Sequence, residues 1–182
     1  MKSPRIALIG YMGSGKSETA KLLANRLNVQ HIDLDQYIEQ KAGKIVEEIF
    51  QKSGELGFRK LERTCLHEIA ALEQAMVLSC GGGTPVYYDN MNHINAHFTS
   101  FFLQVAPNVL AERIALDSTP RPVIERIPED QRIEFIAKHL FERNAFYEKA
   151  DHTIFCKNLG VAQIVHEIVS RLNSPQNHQS LT

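Results

Sequence analysis

At 182 residues the chain has room for one domain of ordinary size and none for a second independent core. Hydrophobic residues make up 43% and charged residues 23%, the balance of a globular protein. A formal charge of -1 excludes the broad basic field that nucleic acid or an anionic membrane would require, so an anionic ligand must be gripped by a few placed cations.

The first expected element is a buried strand, Arg5 to Gly10. Its apolar stretch, Ile6 to Ile9, is far too short for a signal sequence or a membrane span, which makes the cytoplasm the expected compartment. Gly10-Tyr11-Met12-Gly13-Ser14-Gly15-Lys16-Ser17 follows and matches G-x-x-x-x-G-K-[ST]. Glycines let backbone N–H groups turn inward around phosphate oxygens, and the N-terminus of the next helix adds partial positive charge. Lys16 is expected to reach the β- and γ-phosphates of a nucleoside triphosphate, and the Ser17 hydroxyl to ligate Mg²⁺. The plain alternative is a glycine-rich turn that Ser17 merely caps. Ser17 to Leu27 carries Ala20, Leu23, Ala24 and Leu27 at helical spacing, one apolar stripe.

A short strand, His31 to Asp33, leads into Asp33-Leu34-Asp35. Where the chain turns, one carboxylate could serve Mg²⁺ through water while the other accepts a proton from a substrate hydroxyl. Equally, one of them could only cap the helix expected over Gln36 to Lys41. Phe58-Arg59 and Glu62 fall on a further helix. At i, i+3 spacing they read either as a surface ion pair or as an Arg fork oriented by Glu62 towards a substrate carboxylate.

The next strand, Met76 to Cys80, ends on Gly81-Gly82-Gly83. Three glycines at the carboxyl end of a strand mean that something approaches the backbone closely, a ligand or the phosphate loop. Ser100 to Val105 is another strand, and Pro107 opens a helix carrying Val109, Leu110, Arg113 and Ile114. Asp117 to Gln131 shows no periodicity, the signature of a functional lid. Within it Arg121, between Pro120 and Pro122, could swing onto a triphosphate or remain a surface cation.

Ile133, Ile136, Ala137, Leu140 and Tyr147 form an apolar stripe, with Arg143 on its flank, where it either snorkels or meets an anion in a pocket. A last strand, His152 to Cys156, and a last helix with Val161, Ile164, Val165, Ile168 and Leu172 precede a polar tail, Asn173 to Thr182. Cys65, Cys80 and Cys156 are odd in number and widely spaced, so they are expected to be idle thiols. Strands alternating with helices argue for an α/β fold, a parallel sheet with helices on both faces and the ligand site beyond the strands' carboxyl ends.

In this order G-x-M-G-[SA]-G-K-S, D-x-D, F-R-x-x-E, G-G-G, R-P and R-x-x-x-Y make the chain similar to the shikimate kinases, from Ile6 to about Leu172. The resemblance implies a P-loop, nucleoside-monophosphate-kinase-like three-layer fold whose five-stranded parallel sheet has the order 2-3-1-4-5. It implies one kinase domain over 1–172, a lid over 117–131 and a shikimate-binding segment over 34–63. The implied reaction is MgATP plus shikimate giving ADP plus shikimate 3-phosphate.

Carried over residue by residue, Gly13, Ser14, Gly15, Lys16, Ser17 and Glu18 serve ATP, and Ser17 and Asp33 serve Mg²⁺. Asp35 binds the substrate hydroxyls and is the base. Arg59 and Arg143 grip the shikimate carboxylate beside Gly81, Gly82 and Gly83, with Phe50 and Phe58 as walls. Arg121 is the lid residue that reaches ATP, and Arg113 lies beside the adenine. Two departures stand out: Lys157 occupies a segment where many members carry Arg, and the lid reads Arg121-Pro122-Val123-Ile124 in place of R-P-L-L. The substrates are small molecules, and since no long exposed apolar stretch demands a partner, a monomer is expected.

Two other readings remain open at this level. One is a different kinase of the same fold, acting on gluconate or on a nucleoside monophosphate, the latter usually needing more lid arginines than Arg121 and Arg126. The other is a catalytically silent module that binds ATP or shikimate as a signal.

Overall fold

The computed structural model describes residues 4–117, 124 and 127–173. Among these, the elements run β1 (Arg5–Ile9), α1 (Lys16–Leu27), β2 (Gln30–Asp33), α2 (Leu34–Ala42), α3 (Val46–Ala71) and β3 (Met76–Ser79). A 3-10 turn (Thr84–Val86) leads to α4 (Asn90–His97), β4 (Thr99–Gln104) and α5 (Pro107–Leu116). A second 3-10 turn (Glu129–Gln131), α6 (Arg132–Tyr147), β5 (His152–Phe155) and α7 (Val161–Asn173) complete the order.

The five strands form one parallel sheet in the order β2-β3-β1-β4-β5. Every residue of β3, and all of β1 after Arg5, is buried, which a strand achieves only when helices cover both faces of the sheet. The fold is the nucleoside-monophosphate-kinase-like one expected from the sequence. Register sets the functional rim: Asp33 lies opposite Ser79, and Ser79 opposite Leu8. The carboxyl ends of β2, β3 and β1 therefore open at one level, and the phosphate loop, the D-x-D pair and the triple glycine all leave the sheet there.

Strand limits fall within a residue or so of those expected, because the chain peels into loops at Gly10 and Cys80 while Cys80 N still donates to Leu8 O. Two helices go beyond the sequence reading. α3 is long and broken by Gly54 (φ 65, ψ 179), and α4 is polar along most of its length.

The α6 stripe needs correction. Ile133 is half-exposed and Ala137 exposed, whereas Ile136, Leu140 and Tyr147 are buried. The inward row is thus 136, 140, 143 and 147, at helical spacing, and it places Arg143 on the buried row itself and not on its flank. All three cysteines are buried free thiols, and no described helix is long and apolar enough to cross a membrane.

Candidate active site

A cleft of about 930 Å³ lies over the rim, lined by the phosphate loop from Met12 to Thr19 together with Asp33, Asp35, Gly81 and Gly82. Helix α1 starts at Gly15, whose left-handed backbone (φ 85) would strain any side chain although nothing crowds it. No side chain caps this helix end, so its N–H groups point into the cleft. The capping alternative for Ser17 therefore fails, because its hydroxyl donates instead to Asp33 Oδ2 at 2.9 Å. Lys16 is buried, its ammonium donating to the carbonyls of Gly10 (2.9 Å) and Tyr11 (2.8 Å). Glu18 is exposed on the cleft wall.

Asp33 caps the next helix and also bonds the hydroxyls of Ser17 and Ser79. Its Oδ1 caps α2, accepting from the N–H groups of Asp35 and Gln36 at 3.1 and 3.3 Å. Its Oδ2 accepts from Ser17 and from Ser79, the latter at 2.8 Å. Ser79 spends its one proton on Asp33, so at 3.1 Å His31 Nε2 is the donor to Ser79 Oγ. Ser79 and His31 were not singled out in the sequence; only the β2–β3 register reveals them.

Asp35, in the first turn of α2, is removed from water, which raises its carboxyl first; Asp33 and Glu62 add to this, while Lys16 and Arg59 oppose it. The outcome is a carboxyl pushed up to about 6. It stands against the triple glycine: a Cβ on Gly81 would lie 3.1 Å from Asp35 Oδ1 and 3.2 Å from Glu62 Oε1.

The close approach expected at these glycines comes from protein on each side. A Cβ on Gly82 would meet Met12 N at 3.3 Å, and one on Gly83 would strike the Arg59 guanidinium at 2.4 Å. The surface-pair alternative for Arg59 and Glu62 fails as well, since Glu62 is fully buried and Arg59 is 8% exposed. Arg59 Nη1 donates to Glu62 Oε2 at 2.8 Å, and Thr84 Oγ1 donates to Glu62 Oε1 at 2.6 Å. Burial works against the Arg59 charge, but Glu62 more than offsets it and the guanidinium is held firmly charged. Tyr87 lies under the guanidinium at 4.3 Å; the stacked Phe50 and Phe58, 4.3 Å apart, lie near its other edges.

Arg143 reaches the same place from α6. It lies over the Tyr11 ring at 5.6 Å and beside the Tyr147 hydroxyl, which donates to Gly82 O at 2.6 Å. Burial raises the Tyr147 hydroxyl, and the two opposing charges are Arg143 and Arg59, so one phenol feels both arginines. Tyr11 also bonds His139 Nδ1 at 2.8 Å. Burial lowers the His139 imidazole, and Arg143 lowers it further.

At the far end of the cleft Arg113 and Leu116 face Leu159, Gly160 and Val161. Lys157 is exposed and is not among the lining residues. Arg121 and Arg126 lie outside the described residues, as do the lid positions 118–123 and 125; Ile124 is buried at 2% exposure.

Among the described residues no cluster of three His, Cys, Asp or Glu side chains could hold a metal by itself. A hydroxyl and a carboxylate side by side, Ser17 and Asp33, suit a cation that keeps most of its waters and is completed by phosphate oxygens, as Mg²⁺ does.

A family model described as shikimate kinase matches residues 12–173. A shikimate kinase of Bacteroides thetaiotaomicron is 42% identical over 168 residues, spanning 92% of this chain and 95% of its own length. One of Phocaeicola vulgatus is 39% identical over 173 residues, spanning 95% and 98%. Among crystal structures, the Bacteroides thetaiotaomicron enzyme aligns at a TM-score of 0.86 and 39% identity, over 94% of this chain and 99% of that one. Shikimate kinase from Acinetobacter baumannii in complex with shikimate aligns at 0.83 and 30% identity, over 93% of each chain.

Proposed function

The chain belongs to the shikimate kinase family and phosphorylates shikimate with ATP, and we propose that the residues around the triple glycine carry the reaction as follows. It is a phosphotransferase with an alcohol acceptor, acting in the shikimate route to the aromatic amino acids. The phosphoryl group goes to the 3-hydroxyl: a bond forms between that oxygen and the γ-phosphorus, the bond to the bridging β,γ-oxygen breaks, and ADP leaves. Asp35 takes the hydroxyl proton.

The observation that supports this acceptor is the meeting of Arg59 and Arg143 at Gly82 and Gly83, within electrostatic reach of Tyr147 and, for Arg59, of Asp35. Two guanidinium groups suit one carboxylate, and a carboxyl titrating near 6 on the phosphate-loop side suits the hydroxyl. Phe50 and Phe58 would wall the ring, with Gly81, Gly82 and Gly83 letting Asp35, the phosphate loop and Arg59 close in around it. Placement and charge neutralisation do most of what phosphoryl transfer requires.

On the nucleotide side, Gly13, Ser14, Gly15, Glu18 and Lys16 would cradle the phosphates and Arg113 would lie by the adenine. Arg121, from its motif, would close over the γ-phosphate as part of a lid over 117–131, opposite an acceptor segment over 34–63. Ser17 and Asp33 would hold Mg²⁺, which would neutralise charge on the triphosphate. Lys157 has only its sequence position to support an adenine contact. One chain supplies every group in this reading, which fits a monomer; a cytoplasmic setting fits its substrates.

The test is ADP release, coupled to NADH oxidation, with shikimate, gluconate or no acceptor. Turnover confined to shikimate is expected; turnover with gluconate alone would overturn the acceptor.

A further inference from the structure

Arg59 has more donors than its fixed partner uses. Nη1 is committed to Glu62, while Nε is buried with no hydrogen-bond partner and Nη2 lies 3.5 Å from Glu55 Oε1, with the Tyr87 hydroxyl also beside the guanidinium. The two carboxylates on this guanidinium differ sharply. Glu62 is sealed and tied down by Thr84, whereas the Glu55 side chain is 53% exposed. Glu55 is steered from the other side by the Tyr87 hydroxyl, which donates to the same Oε1. It stands one turn before Arg59 on α3, at i, i+4 spacing, directly after Gly54 leaves helical geometry at φ 65, ψ 179, and residues 51–56 are exposed.

Glu55 is also felt across the pocket. After burial and Arg143, which lower the His139 imidazole, and Glu142, which raises it, Glu55 is a further group acting on it. His139 is one turn before Arg143 on α6. The Glu55 carboxylate thus sits at the Arg59 donors a carboxylate ligand needs, within electrostatic reach of the helix that carries Arg143.

We propose that Glu55 is a tethered competitor for the acceptor's carboxylate, holding the outer edge of Arg59 and exchanged for the ligand when it binds. The inference rests on the acceptor assigned above. Exchange of one carboxylate for another keeps the guanidinium paired throughout, and a half-exposed Glu returns to water at little cost. A neutral polyol offers nothing to exchange, so Glu55 stays on Arg59 and the pocket discriminates for charge. Glu62 cannot play this part, because releasing it would strand a sealed carboxylate.

A half-exposed ion pair is worth up to about 1 kcal/mol, so removing the competitor should improve acceptor affinity by about two- to fivefold. The experiment compares wild type, Glu55→Gln and Tyr87→Phe, the last keeping the ring under Arg59 while freeing Glu55. Shikimate affinity by calorimetry, KM for shikimate and for ATP, and melting temperature are measured, with the neutral amide of shikimate as a second ligand.

A KM and Kd for shikimate lowered by that factor in both variants, at unchanged ATP KM and melting temperature, with less gain for the amide, is the expected result. Unchanged or weakened shikimate binding in Glu55→Gln, or equal gain for the amide, overturns the competition while wild-type turnover stands. A wild type that neither binds nor phosphorylates shikimate removes the acceptor, and the inference with it.

Discussion

The hydroxyl of Thr84 donates to Oε1 of Glu62 at 2.6 Å, and neither side chain has any surface open to water. Through Glu62 this contact reaches Arg59, so a threonine just after the triple glycine orients a guanidinium on another element. Thr84→Ala would leave a sealed carboxylate oxygen without its donor, a loss of about 1–3 kcal/mol. We expect a lower melting temperature and a raised KM for shikimate. Thr84→Ser, which keeps the hydroxyl, should restore both; a serine variant as impaired as alanine would mean that the methyl group, not the hydrogen bond, matters.

Arg59→Lys keeps the charge and loses the fork. An ammonium cannot serve Glu62 and an acceptor carboxylate with fixed parallel N–H groups. Charge-assisted hydrogen bonds of this kind contribute about 1.5–3 kcal/mol, so KM for shikimate should rise by about ten- to a hundredfold. KM for ATP, measured in the same assay, should hardly move.

Asp35 gives a prediction in pH. Its carboxyl is raised from 3.8 to about 6 in the folded protein, so the fold binds this proton more tightly than the unfolded chain does. The resulting contribution is fully present below about pH 4 and is lost as pH rises through about 6; at neutral pH the ionised carboxylate stays at its own cost. Asp35→Asn should therefore melt higher than wild type at pH 8, by the equivalent of about 2–3 kcal/mol at most, and no higher at pH 4. The same variant should bind ATP and lose nearly all turnover. Melting curves at the two pH values without nucleotide, and ADP release at pH 8, check the two halves separately.

Gly83→Ala separates folding from binding. The new Cβ would overlap the guanidinium of Arg59, a group at the end of a long side chain that can move aside. Moving aside means breaking the 2.8 Å bond to Glu62. The expected variant folds, with shikimate binding weakened by at least tenfold in calorimetry and ATP binding intact. Unaltered shikimate binding would show that Arg59 does not need its present position.

Much of this was legible in the chain. Gly10 to Ser17 announces a phosphate loop because the chemistry demands glycines, a lysine and a hydroxyl at fixed spacing within one strand–turn–helix unit. The central strands β3, β1 and β4 stand out as largely apolar runs because burial on both faces leaves little room for alternation. Other features resisted. The α3 helix breaks at Gly54 and carries a second glycine, Gly57, and the two hide its period, while α4 is too polar to show a stripe. Ile133 and Ala137 extend the apolar stripe of the sequence and leave Arg143 on its flank; packing turns the row of Ile136, Leu140, Arg143 and Tyr147 inward instead.

Local spacing determined the kind of protein this is: a nucleotide loop at a strand's end, carboxylates after the second strand, glycines after the third. Pairings between distant residues were decided only by the tertiary structure. Ser79 meets Asp33 because β2 and β3 pair in that register, and Thr84 meets Glu62 because α3 packs against the 3-10 turn that follows β3. A side chain's burial and partners depend on which elements pack against it, and that is a property of the whole fold. The same Arg–Glu spacing therefore reads as a surface pair in the sequence and becomes a sealed anchor in the folded protein.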